Sequence, residues 1–134
     1  MQVNYCIGSA YEALGNRAKA NDYFKKSSEA TSGRVNVMNY YQGLSYAKLG
    51  KKEQAKKIFD SLQSEADSQL QVSATSEVGV IFGRSESSND RMSRLYTMRG
   101  LGYKGLGDLQ KAKDDLNKAL ELSRSNLWAK IENL

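Results

Sequence analysis

Gly43-Leu44-Ser45-Tyr46-Ala47-Lys48-Leu49-Gly50, with Ala55 and Phe59 beyond it, is the stretch on which the reading of this chain turns. The same offsets occur twice more. The first copy has Gly8, Tyr11, Leu14-Gly15, Ala20 and Phe24; the third has Gly100, Tyr103, Leu106-Gly107, Ala112 and Leu116. The first two copies start 35 residues apart, whereas the third starts 57 residues after the second.

Each position has a mechanical reason. An early Gly inside a helix costs about 1 kcal/mol of propensity relative to Ala. Close approach of the following helix offsets that cost, so Gly8, Gly43 and Gly100 read as contact points. Tyr and Leu three and six residues later share a helix face and are expected to form its core stripe. The second Gly suits the left-handed residue that ends a helix. Asn16 and Asp108 come next and can cap the helix that follows. Small Ala20, Ala55 and Ala112 fit where two helices touch, with Phe24, Phe59 and Leu116 filling the core. The spacing predicts helices near 2–14 and 17–30, 35–49 and 51–69, 90–106 and 109–123. A last helix near 126–133, opened by Ser125 or Asn126, is expected to present a polar outer face, with Trp128 as a structural anchor.

These offsets resemble the tetratricopeptide repeat, whose period is about 34 residues. The resemblance implies an all-α, right-handed solenoid of three helix pairs and a C-terminal capping helix. It implies one domain over 1–134, with repeats at about 1–34, 35–69 and 93–125, an insert at 70–92 and the capping helix at 126–134. Within the insert, Val78, Val80, Ile81 and Phe82 are too apolar for a free loop, so docking on the array is expected. Ser85-Glu86-Ser87-Ser88-Asn89 reads as a loop, with Ser88 or Asn89 capping the next helix. The family often has Trp where this chain has Asn4, and no capping element precedes that first helix. The reading is therefore of the C-terminal part of a longer, bacterial protein.

Composition limits the chemistry. Net charge is +5, divided as +3, −1 and +3 over residues 1–50, 51–92 and 93–134. Lysines interleave with acids, as in Lys111, Lys113, Asp114, Asp115 and Lys118, which reads as solvated helix and disfavours nucleic acid. Proline and histidine are absent and Cys6 is the single cysteine. Disulfides within the chain, Cys-based metal sites and the commonest general base are thereby removed. No cofactor is expected. No run of about 18 apolar residues occurs, so no membrane-spanning helix is expected. Residues 1–5 lack a signal-peptide pattern, and the cytoplasm is the default compartment.

Two constellations tempt and fail. Gly100-Leu101-Gly102-Tyr103-Lys104-Gly105 matches a dinucleotide fingerprint, but sits inside a helix instead of between a strand and a helix. Asp114 with Asp115, and Asp60 with Glu65, lie among lysines where pairing one turn apart is the simpler account. Catalysis is not expected.

The resemblance instead implies a groove lined by the first helix of each pair, holding a protein or peptide. Its offsets fall on Gln2, Tyr5, Cys6, Ser9 and Glu12; on Val37, Tyr40, Tyr41, Leu44 and Lys48; and on Arg94, Thr97, Met98, Leu101 and Lys104. Tyr5, Tyr40 and Tyr41 are expected to form an aromatic strip beside the basic Lys48, Arg94 and Lys104. Family members that clamp a chaperone's terminal carboxylate use a Lys–Asn–Asn–Lys–Arg set. Tyr5, Ser9, Tyr41, Arg94 and Met98 stand there, and only one of them fits. The other expectations are an array packed on an upstream domain, or a homodimer formed through the uncapped first repeat.

Overall fold

The computed structural model describes residues 1–75 and 88–133. Its described residues form helices α1 (Gln2–Ala13), α2 (Arg17–Glu29), α3 (Asn39–Lys48), α4 (Lys52–Thr75), α5 (Ser88–Leu106), α6 (Leu109–Leu122) and α7 (Leu127–Glu132), with no strand among them. The chain divides into two compact units, Met1–Leu62 and Gln63–Leu134.

In the first unit α1 packs on α2, and α3 lies against both. A Cβ placed on Gly8 would lie 2.7 Å from Cε1 of Phe24 and 3.2 Å from the carbonyl oxygen of Ala20. The glycine is therefore what lets the two helices approach. Phe59 stands in the same relation to Gly43. Phe24, Ala20, Phe59 and Ala55 are buried, as the spacing predicts, and Leu62 joins them. Gly15, at φ +76°, reverses the chain. There its N–H reaches the Glu12 carbonyl and the Asn16 N–H reaches the Tyr11 carbonyl, the double bond that closes a helix end. The Asn16 side chain then accepts the Lys19 N–H, as expected of a cap.

Two expectations need correction here. Leu14, assigned to the core, is 79% exposed, because it is the cap residue of α1 and its side chain leaves the packed stripe. The third helix starts at Asn39, not at 35. Asn39 Oδ1 accepts from the Asn36 N–H and from Ser32 Oγ, while Gln42 Nε2 donates to the carbonyls of Ser28 and Ala30. Side-chain bonds of this kind satisfy the backbone outside a helix and hold the linker instead.

In the second unit α5 packs on α6, and α7 lies against both. Leu95, Leu101, Leu116, Ala119 and Ala129 are buried. Around Gly100 the contacts are looser, with Leu116 Cγ at 3.1 Å from an added Cβ. Asp108 caps α6 through the Lys111 N–H, and Asn126 caps α7 through the Ala129 N–H. The assigned insert is partly regular: α4 continues through 70–75, and Ser88 and Asn89 already belong to α5. Val78, Val80, Ile81, Phe82 and Ser85–Ser87 lie outside the described residues. The capping helix departs from its expected polar face. It buries Ala129, while Leu127 and Ile131 are 64% and 51% exposed.

Candidate protein-interaction surface

Positions 2, 5, 9 and 12 lie on one face of α1, and positions 41, 44 and 48 on one face of α3. Contacts between the two helices show that these faces adjoin in the first unit. Gln2 Nε2 donates to Tyr41 Oη at 3.4 Å, the Tyr5 and Tyr41 rings lie 5.5 Å apart, and Lys48 Nζ is paired with Glu12. Ser9 and Leu44, both half-buried, lie between these contacts along their helices. The result is a ribbon with aromatic and amide groups at one end and an ion pair at the other.

The aromatic strip exists, but its placement corrects the expectation. Tyr40 and Tyr41 are only 5% and 7% exposed. Tyr40 meets the Phe59 ring at 6.0 Å and the edge of Tyr41 at 5.6 Å, while Tyr5 also packs on Phe24 at 5.8 Å. Because α3 starts at Asn39, its first turn delivers both tyrosines into the core. Tyr5, half-buried, is the member of the strip that a ligand can meet best.

The Glu12 hydrogen bond raises the Lys48 pKa against a smaller opposing effect of burial. The lysine is thus held cationic, at a spot where a partner's acid would compete with Glu12.

On α5, Met98 and Leu101 are buried and serve the second unit's core, contrary to the groove assignment. Arg94 is exposed. Lys104 is taken by α7: its Nζ donates to the Glu132 carbonyl at 2.6 Å and pairs with the Glu132 carboxylate at 2.9 Å. Among the described residues no group of three or more His, Cys, Asp or Glu could hold a metal. No helix among them is long and apolar enough to cross a membrane.

Sequence reasoning missed Arg99. Its Nε and Nη2 donate to both Asp115 oxygens at 2.7 and 2.8 Å, and Nη1 donates to Asp67 at 2.8 Å. The Asp115 hydrogen bonds, opposed by burial and helped by Asp67, raise its pKa further still. Asp115 is thereby corrected from solvated surface to a buried ion-pair partner. Asp60, by contrast, pairs with Lys56 one turn away, as expected. A basic residue at 99, where the first copy has Ile7, was the available signal.

Profiles described as tetratricopeptide repeat match residues 2–32 and 93–126, and another so described matches 38–68. No curated protein matches the sequence. Among solved structures, the chain is similar to the first TPR of Spaghetti (RPAP3) bound to HSP90 peptide SRMEEVD. That match is 22% identical, covers 98% of this chain and 86% of that one, and has a TM-score of 0.37. The NMR structure of the first TPR domain of the human RPAP3 protein is similar at 22% identity, covering 98% and 85%, again with a TM-score of 0.37. With its three repeats matched and its Gly, Ala and Phe contacts in place, the chain belongs to the tetratricopeptide repeat family, generally a non-enzymatic protein-interaction fold.

Proposed function

We propose that the chain is a protein-binding scaffold whose contact surface in the first unit is the α1–α3 ribbon of Gln2, Tyr5, Ser9, Glu12, Leu44 and Lys48. The observation that carries this reading is the run of cross-helix contacts from Gln2–Tyr41 to Glu12–Lys48, which joins the faces that family membership assigns to ligands. The fitting ligand is an extended peptide or helix with an apolar side chain for Tyr5 and Leu44 and an acid for Lys48.

The test must avoid Tyr40 and Tyr41, since truncating core residues would unfold the unit. Peptides selected from a displayed library against the chain are expected to lose about tenfold or more in affinity for Ser9→Arg/Leu44→Arg, a change of about 1.4 kcal/mol. Far-UV circular dichroism should stay unchanged. Selected peptides that bind this variant as well as the parent would remove the ribbon as the site.

A second reading, pairing of two copies through the first repeat, is favoured by Val3 and Leu14, which are exposed on α1 and at its cap. Sedimentation equilibrium separates the two. A dimer lost on Val3→Ser/Leu14→Ser supports pairing, and a strict monomer at high concentration excludes it.

A further inference from the structure

Neither the helix nor the repeat asks for an acid at position 12. Glu12 lies in the last turn of α1, where the free carbonyls carry partial negative charge and favour a cation. Four residues after their glycines, the other two copies have Ala47 and Lys104. Lys48, in the last turn of α3, suits its own helix end without help. What Glu12 does is reach across the ribbon to Lys48.

That pair is held more loosely than the other ion pairs that join helices among the described residues. Lys48 and Glu12 are 39% and 43% exposed and share one hydrogen bond. Lys104 and Glu132 are 29% and 13% exposed, and the Lys104 ammonium also reaches a carbonyl. Arg99 divides three bonds between Asp115 and Asp67. Water reaches both ends of the Lys48 pair, so its members can separate at small cost, with Glu12 returning to solvent. Separation leaves Lys48 in a unit rich in positive charge. Met1–Leu62 holds ten Lys and Arg against five Asp and Glu, whereas Gln63–Leu134 holds ten of each. The whole excess of +5 therefore lies in the unit that carries the ribbon, and its field draws in an acid to replace Glu12.

We propose that Glu12 is a resident stand-in for the ligand's carboxylate. It occupies Lys48 while the ribbon is empty and yields it to the acid of a bound peptide. By competing, Glu12 holds down the ribbon's preference for acidic over neutral peptides and so sets its selectivity. This rests on the ribbon being the contact surface, and assigns one of its residues to work against binding.

The probe is an acid-bearing peptide, selected from the displayed library, that loses affinity for Ser9→Arg/Leu44→Arg. A twin carries Gln in place of each Asp or Glu. Affinities are read by fluorescence polarisation. Glu12→Gln is expected to bind the acidic peptide about threefold to fivefold tighter than the parent does, with the twin unchanged. Lys48→Met should abolish the preference for the acidic peptide, and adding Glu12→Gln to it should change nothing further, which separates exchange at Lys48 from a general gain of positive charge. Both side chains are exposed, so circular dichroism should be unchanged in all three variants. The proposal is overturned if Glu12→Gln leaves the acidic peptide's affinity unchanged or lowers it, if the twin gains equally, or if the gain survives Lys48→Met. Each of those results leaves the ribbon standing as the contact surface. Selected peptides that ignore Ser9→Arg/Leu44→Arg, or that carry no acid, would remove the proposal along with the ribbon or with its acid site.

Discussion

Replacing Arg99 with Met should cost more than replacing its closest partner, and the order is set by what each change leaves behind. Arg99→Met strips both donors from Asp115, whose side chain is 10% exposed, so a carboxylate stays in the packed unit without its counter-charge. Breaking one side of a buried pair costs about 3–5 kcal/mol. The guanidinium side chain is itself 24% exposed, which points to the lower end. Asp115→Leu leaves a smaller deficit. Arg99 keeps its 2.8 Å bond to Asp67 and has some access to water, so a loss of about 1–2 kcal/mol is expected. The double variant Arg99→Met/Asp115→Leu replaces the pair with apolar groups and should return to within about 1 kcal/mol of the parent. Urea unfolding followed by Trp128 fluorescence suits the measurement, because the single tryptophan belongs to the same unit as the triad. The reasoning fails if Asp115→Leu is the costlier single change, or if the double variant is as unstable as the two losses added together.

Asn126→Ala removes the α7 cap together with the bonds that Asn126 Nδ2 donates to Ser93 Oγ at 2.8 Å and Thr97 Oγ1 at 2.9 Å. A loss of about 1–3 kcal/mol is expected, with amide exchange in α7 rising before that in α5; uniform exchange would contradict the latch. Gly8→Ala gains about 1 kcal/mol of helix propensity but crowds Phe24, so a net loss near 1 kcal/mol is expected, against little change for Gly100→Ala. A higher melting temperature for Gly8→Ala would contradict the close approach of α1 and α2. Lys48, its pKa raised by Glu12, contributes fully below the ordinary lysine value near 10.4 and loses that contribution only as pH rises through the raised value. Melts at pH 7 and pH 9 should therefore show the same deficit for Lys48→Met, below about 1 kcal/mol because the pair is largely exposed; a deficit that vanishes by pH 9 would be inconsistent.

Gly8, Ala20 and Phe24 could be placed from spacing alone, because one hairpin's packing is a local matter of which residues meet across a turn. What escaped the sequence depends on partners farther along the chain. Asp115 sits among lysines and reads as surface until Arg99, sixteen residues away, is brought beside it. Tyr40 and Tyr41 fall at ligand-facing offsets, yet the Ser32–Asn36–Asn39–Gln42 bonds delay α3 and the aromatic neighbours enclose both rings. The ring–ammonium contacts of Tyr11 with Lys19 at 5.1 Å and Tyr103 with Lys111 at 5.3 Å keep the same eight-residue spacing in two copies. The middle copy meets Tyr46 from Lys51 instead, at 6.0 Å. Of the candidate site, Gln2, Tyr5, Ser9 and Glu12 share one face of α1 and none of them is buried, in keeping with their spacing.

The glycine at the head of each repeat also bears on how freely the copies can diverge. Gly8 and Gly43 each face an aromatic ring that fills the missing side chain's place, while Gly100 faces the branched aliphatic Leu116. Sequence drift is closed most tightly at 8 and 43, where a side chain would meet a ring at under 3.0 Å, and less tightly at 100, where it would press on Leu116 and the Ala112 carbonyl at 3.1 and 3.2 Å. Grafting a phenylalanine onto position 116 would close it there as well. The three copies share a pattern, but they are not interchangeable cassettes: each glycine is matched to the side chain opposite it, and a graft must carry both.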